Sequence, residues 1–243
     1  MKTLQKTLVA GALLSALPLA HAEGPHEFSA NVAVTTDYIF RGISQTSEDP
    51  ALSGGFDYAH ESGFYAGFWA SSIEFNAGTS NTASLETDYY GGYGGDLGDT
   101  GLSYDLLAIY YAYPNQNEDA GGGDYDYFEF IPSLSYSVND MVSLGLTYAY
   151  SPDFFGEDGT GNYIGGGVDL ALSQGFGASF QVGYQDVEGD KTTGPAGFSY
   201  THWSAGISKE IGNFGFDLTY HDTDIDNTPI ADSRVVFTVS SSW

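Results

Sequence analysis

The side chains most able to do chemistry are few and scattered. Past residue 22 the histidines are His26, His60, His202 and His221, and Ser204 stands two places after His202. On an extended strand that spacing puts both on one face. A serine activated by a histidine, with a third polar group to orient it, would make a lipid hydrolase. No spacing supplies that third group, and same-face serines are ordinary in polar barrel interiors. The run Asp222-Thr-Asp-Ile-Asp-Asn227 sets acids at alternate positions, but it lacks the sixth-position glycine and twelfth-position glutamate of an EF-hand loop. Glu157-Asp158-Gly159 and Glu118-Asp119 read as solvated loop acids. Cysteine is absent, which removes thiolates and disulfides. The expectation is a protein that is not an enzyme, with no catalytic residue, no metal site and no cofactor.

What remains is carboxylate charge, and the elements that hold it decide its use. The 243 residues carry 32 acids against 6 bases, a formal −26. A nucleic-acid partner is excluded, because phosphate neutralisation needs clustered Lys and Arg. Disorder is excluded too, since 19 Tyr, 16 Phe and 3 Trp must be buried somewhere. Lys2 and Lys6, the apolar stretch Leu8 to Leu19 and the A-x-A site Ala20-His21-Ala22 form a cleavable export signal over 1–22. Cleavage leaves Arg41, Lys191, Lys209 and Arg234 against all 32 acids, a formal −28. The residue after the site is not a cysteine, which argues against a lipoprotein.

From residue 23 to 243 the chain reads as a single domain of period-two runs. Phe28, Ala30, Val32, Val34, Thr36, Tyr38 and Phe40 are spaced by two, as are Phe176, Ala178, Phe180, Val182 and Tyr184. Twelve such runs follow one another: 27–41, 51–60, 63–75, 84–95, 101–113, 125–137, 142–151, 161–172, 175–186, 198–210, 213–221 and 233–243. Short links alternate with longer polar ones at 42–50, 76–83, 114–124, 152–160, 187–197 and 222–232. That rhythm predicts an all-β, transmembrane, up-and-down antiparallel β-barrel of about 12 strands, with tight periplasmic turns and long extracellular loops. The last strand puts Val235, Phe237, Val239, Ser241 and the terminal Trp243 on one face. Of these, Phe237, Val239 and Trp243 resemble the terminal signal read by the outer-membrane barrel assembly machinery.

Charge on the lipid face is costly, so charged faces should point inward. The pore-lining set is then Asp37, Arg41, Asp57, Glu74, Glu86, Asp88, Asp105, Glu129, Asp169, Asp217 and Arg234. Tyr38, Phe40, Phe56, Tyr58, Trp69, Phe75, Tyr89, Tyr93, Phe128, Trp203, Phe214, Tyr220 and Trp243 fall on the outward face. Twelve strands about 4.8 Å apart and tilted about 40° give a diameter of roughly 24 Å, and side chains cut the bore to about 10 Å or less. Inward Tyr90, Tyr127 and Tyr163, or an infolded loop, would close it. Arg41 is placed at the outer end of the first strand, within reach of Asp37 or Asp57, as a constriction charge or as a structural ion pair.

The run Asp37-Tyr-Ile-Phe-Arg-Gly-Ile-Ser-Gln-Thr46, followed by Pro50-Ala51, Asp57-Tyr58 and Gly63-Phe-Tyr-Ala-Gly-Phe-Trp-Ala-Ser71, resembles the TorF-like porins of the Gcw_chp type. These are exported bacterial proteins long without a known function. The resemblance is specific over 34–75 and looser beyond, as spacing of strands and loops. It implies an outer-membrane barrel with a transport role and supplies no substrate and no catalytic residue. The sequence therefore points to a porin-like channel for passive diffusion of ions or small solutes, preferring cations, in the bacterial outer membrane. The other reading is a plugged structural or adhesive barrel with acidic extracellular loops. Outer-membrane lipid and lipopolysaccharide, the assembly machinery and small solutes or cations are the expected partners.

Overall fold

The computed structural model describes residues 24–77, 80–117, 124–189 and 199–243. The expected export signal at 1–22 lies outside the described residues. Twelve strands form one closed antiparallel barrel. They are β1 (His26–Thr35), β4 (Ala51–His60), β5 (Phe64–Ala77), β6 (Ser80–Asp96), β7 (Leu102–Ala112), β8 (Tyr127–Ser137), β9 (Val142–Ser151), β10 (Gly161–Ala171), β11 (Phe176–Val187), β12 (Tyr200–Ile211), β13 (Phe214–Thr223) and β14 (Arg234–Ser242). Two short strands, β2 (Ile39–Phe40) and β3 (Ile43–Ser44), pair only with each other.

Consecutive barrel strands pair as hairpins, and β1 closes the ring by pairing on both sides. Val34 faces Leu52 of β4 and Val239 of β14. The carboxyl end is sealed in as well, with Trp243 N–H donating to Ala30 O at 3.0 Å and Ala30 N–H to Trp243 O at 2.9 Å. Closure leaves no free edge, the condition a sheet must meet in hydrocarbon.

Alternation sends one face of every strand outward, and that face is apolar. Phe28, Leu52, Leu106, Leu146, Phe180 and Phe237, from six different strands, are all exposed. Phe64, Phe176, Phe214 and Trp243 lie near the short-turn end, while Tyr89, Tyr110, Phe128, Tyr150, Tyr184 and Trp203 lie toward the long-loop end, giving two aromatic bands. A water-facing surface does not carry so continuous an apolar belt. The barrel is transmembrane.

Three expectations are corrected here. The first strand stops at Thr35 rather than Arg41. Its period continues, but the Asp37 carboxylate accepts from Ser44 Oγ (2.6 Å) and Thr46 Oγ1 (2.9 Å), and Gln45 N–H donates to Tyr38 O (2.7 Å), turning the chain inward. Tyr38 and Phe40 therefore lie inside the barrel, not on the lipid face. The link expected over 76–83 is nearly all strand, because β5 runs to Ala77 and β6 begins at Ser80.

The third correction concerns β5 itself. The register of β5 on β6 is irregular between Ser72 and Phe75. Before that point Trp69 is cross-strand partner to Asp88 and buried inside, and beyond it Phe75 packs on Tyr113, Tyr125 and Phe155. Neither residue joins the outward band. Glu74, expected in the lumen, has a carboxylate that accepts from Asn76 (2.9 Å) in an exposed setting.

Candidate functional site

The loop between β1 and β4, residues 36–50, folds into the barrel rather than away from it. Its tip is the β2–β3 hairpin, turned by Arg41 (φ 47°) and Gly42 (φ 84°). Two positive φ values make the two-residue turn that suits a tight hairpin. Gly42 is required twice over, since a Cβ there would also lie 2.7 Å from His202 Cβ and 2.7 Å from Thr223 Cγ2.

From this tip Arg41 reaches the far wall. Its Nη1 and Nη2 donate to Glu129 Oε1 (2.9 Å) and Oε2 (2.8 Å), and Nη1 also donates to Gln185 Oε1 at 2.7 Å. The guanidinium carbon stands 4.2 Å from the centre of the Tyr163 ring. Glu129 is on β8 and Tyr163 on β10, each five steps round the ring from β1, one in either direction. The loop thus spans nearly the full diameter. Burial alone would weaken the arginine's hold on its proton, but the Glu129 carboxylate more than reverses this, and its pKa lies above the ordinary value.

Two further anchors fix the loop. Arg234 Nη1 donates to Asp37 Oδ2 at 2.8 Å, with Glu48 Oε1 at 3.4 Å. The Tyr38 hydroxyl donates to Glu86 Oε1 at 2.8 Å, and burial, followed by the charges of Glu86 and Asp88, pushes that phenol well up. Around these bonds Tyr38, Trp69, Ile109, Tyr111, Tyr113, Tyr127 and Phe154 form the buried core, which sits inside the barrel. Tyr111 and Tyr127 stack at 4.4 Å between ring centres.

Toward the short turns the interior changes character. Tyr90 lies over Gly67 and donates to Asp57, and Tyr65 lies over Gly92 and donates to Asp105 Oδ2 at 2.8 Å. Both rings are flattened against the wall by the missing Cβ of their cross-strand partners. Asp217 accepts from Thr219 Oγ1 at 2.6 Å. Asp169 Oδ2 is buried without a hydrogen-bond partner among the described residues.

Between the two zones, under the loop tip, lies a cavity of about 100 Å³. Trp69, Leu107, Ile109 and Ile131 make its apolar wall, and Gln181, His202, Ser204 and His221 its polar wall, with Asp88, Tyr90 and Tyr163 between. His202 Nε2 is engaged by the Tyr163 hydroxyl at 3.1 Å. Among the described residues no group of three or more His, Cys, Asp or Glu is placed to hold a metal ion.

The sequence-derived set therefore divides. Asp37, Arg41, Glu86, Glu129 and Arg234 are brought together as the anchorage of the loop, and Asp57, Asp88, Asp105, Asp169 and Asp217 face the interior elsewhere. Arg41 pairs with neither Asp37 nor Asp57, because the inward turn carries it past both. Phe237 and Trp243 are exposed outside, in keeping with the face assigned to them. Gln185, Trp69 and Tyr38 belong to the interior site but not to the sequence-derived set. A strand glutamine carries no charge to mark its face, and the two aromatics sit where the period breaks.

The family model described as a bacterial protein of unknown function, Gcw_chp, matches residues 19–243. No curated protein matches the sequence. Among solved structures the chain is similar to KdgM porin, with TM-score 0.58, 10% identity, and coverage of 88% of this chain and 98% of that one. It is similar to NanC porin at TM-score 0.57 and 11% identity, over 89% and 98% of the two chains. It is also similar to an outer membrane channel from Pseudomonas putida F1 at TM-score 0.57 and 10% identity, over 92% and 96%. At such identities what is shared is the fold, that of outer-membrane porins and channels. With the family matched from residue 19 to the last residue of a closed porin-type barrel, this chain belongs to the Gcw_chp family of bacterial proteins.

Proposed function

We propose that this protein is a narrow outer-membrane channel for passive diffusion of small solutes, with a preference for cations. The carrying observation is the sorting of charge inside the barrel. Arg41 and Arg234 are both committed to ion pairs at the loop. Lys209 lies outside, its ammonium 4.2 Å from the centre of the exposed Phe176 ring. Asp57, Asp105, Asp169 and Asp217 are left facing the short-turn half with no basic side chain among the described residues to offset them. Rings of acidic side chains favour cations for the same electrostatic reason.

Purified protein in planar bilayers under a KCl gradient should give discrete conductance steps whose reversal potential has the sign of cation flow. Anion-selective steps would refute the preference. The loop spanning the lumen favours a second reading, a closed surface barrel whose acidic loops bind lipopolysaccharide or another external partner. That reading requires no steps at any voltage from the parent, with steps appearing only after removal of loop 36–49.

A further inference from the structure

Asp88 is the least explained group in the molecule. It is 1% exposed, and neither of its carboxylate oxygens has a hydrogen-bond partner among the described residues. Leaving a carboxylate buried and unpaired is among the costlier arrangements a protein can hold. Glu86 and Glu129 are near enough for their charges to act on it. Of the three carboxylates, only Glu129 is paired with a base among the described residues, through the fork of Arg41. Three carboxylates thus stand near one arginine, an excess that a cation beside Asp88 would offset.

Asp88 forms part of the wall of the cavity beneath the loop tip, which Arg41 also lines with its guanidinium already engaged by Glu129 and Gln185. At about 100 Å³ that cavity is several times the 10–15 Å³ needed for one water, so it admits a small organic molecule. A hard inorganic cation fits poorly. Calcium takes six to eight oxygen ligands and magnesium a near-ideal octahedron, whereas much of the wall here is Trp69, Leu107, Ile109 and Ile131. A primary alkylammonium fits better on each count. Its N–H groups are donors for two unused acceptor oxygens, its charge offsets the carboxylate, and its hydrocarbon body suits the apolar wall. Aromatic side chains, here Trp69, Tyr90 and Tyr111, add favourable faces for a cation.

We propose that this cavity is a binding site for small primary alkylammonium ions, with Asp88 as their counter-ion. The inference rests on the channel reading to the extent that it names the solute class the lumen would select. The site itself is tested by binding, independently of conduction.

n-Butylammonium titrated calorimetrically into the detergent-solubilised full chain should bind saturably, and n-butanol, its neutral counterpart of equal length, should not. Asp88→Asn, with its folded state verified by heat-dependent gel mobility, should weaken n-butylammonium binding by roughly tenfold or more, as loss of a charge-assisted hydrogen bond predicts. No saturable binding by the parent, equal binding of n-butanol, or undiminished binding by Asp88→Asn would each overturn the site. The butanol comparison needs no variant, so a misfolded Asp88→Asn would not shield the proposal. Cation-selective conductance without n-butylammonium binding would leave the channel standing and remove the site. Binding without conductance would do the reverse.

Discussion

Removing either partner of the Arg41–Glu129 pair should cost more than removing both. Both side chains are buried, 9% and 1% exposed, and Glu129 without Arg41 keeps only the Tyr111 hydroxyl at 3.2 Å. Breaking a buried pair from one side typically costs about 3–5 kcal/mol, whereas replacing both partners with apolar groups is often neutral. Because the pair holds a loop and not a barrel strand, the loss should appear as loop opening. Arg41→Met and Glu129→Leu should each raise the open fraction at least about a hundredfold, measured as proteolysis within 36–49, with the barrel's heat-dependent gel shift intact. The double variant should recover much of the protection, and simple additivity of the two losses would refute the pairing. The sequence singles out Arg41 as a rare base on a barrel interior, yet it offers only neighbours as partners. The actual partners are 88 and 144 residues away, brought together by ring closure that no local period encodes.

On the channel reading proposed above, the loop that carries Arg41 is the element that would control passage. It enters from one side of the ring and is tied to the opposite side, so any solute must go round it or wait for it to move. Replacing residues 37–48 with a short Gly-Ser linker should therefore raise single-channel conductance severalfold in planar bilayers. An unchanged conductance would mean that the constriction lies elsewhere, with the flattened Tyr65 and Tyr90 as the remaining narrow point. The infolding was legible only as one of two ways to close the bore, because Thr36, Tyr38 and Phe40 continue the strand period through the turn. What ends the strand is side-chain capture, by Ser44 and Thr46 on Asp37, and hydroxyls seven and nine residues away leave no trace in a period of two. The same limit explains β5. Counting in twos from Glu74 carries Trp69 to the outside, and the register shifts between Ser72 and Phe75 and between Phe75 and Asn76 reverse the outcome. Elsewhere, strands without a break, such as β7 and β11, present the face that their alternation predicts.

At the scale of the whole barrel the sorting of residues was legible wherever the strand period is unbroken, because it answers to two solvents at once. Apolar positions meet lipid, so an arginine introduced at an outward site in mid-strand, such as Leu146→Arg, should destabilise the folded barrel by about 2–4 kcal/mol in liposome unfolding, while an inward site such as Gln181→Arg should not. On the channel reading proposed above, acidic positions meet a water-filled lumen, and the proposed cation preference then depends on ionic strength. The Debye length is about 10 Å at 0.1 M salt and about 3 Å at 1 M, against the bore of about 10 Å or less expected from twelve strands. At the lower concentration carboxylates on the wall act across the whole bore, and at the higher one they act only beside themselves. Cation selectivity should accordingly fall as salt rises at a fixed concentration ratio. The combined change Asp169→Asn and Asp217→Asn should reduce selectivity at low salt and make little difference at high salt. Selectivity that ignores both the salt and the two substitutions would place its origin in the acidic loops at the mouth, where charge is plentiful but far from the narrowest part of the path.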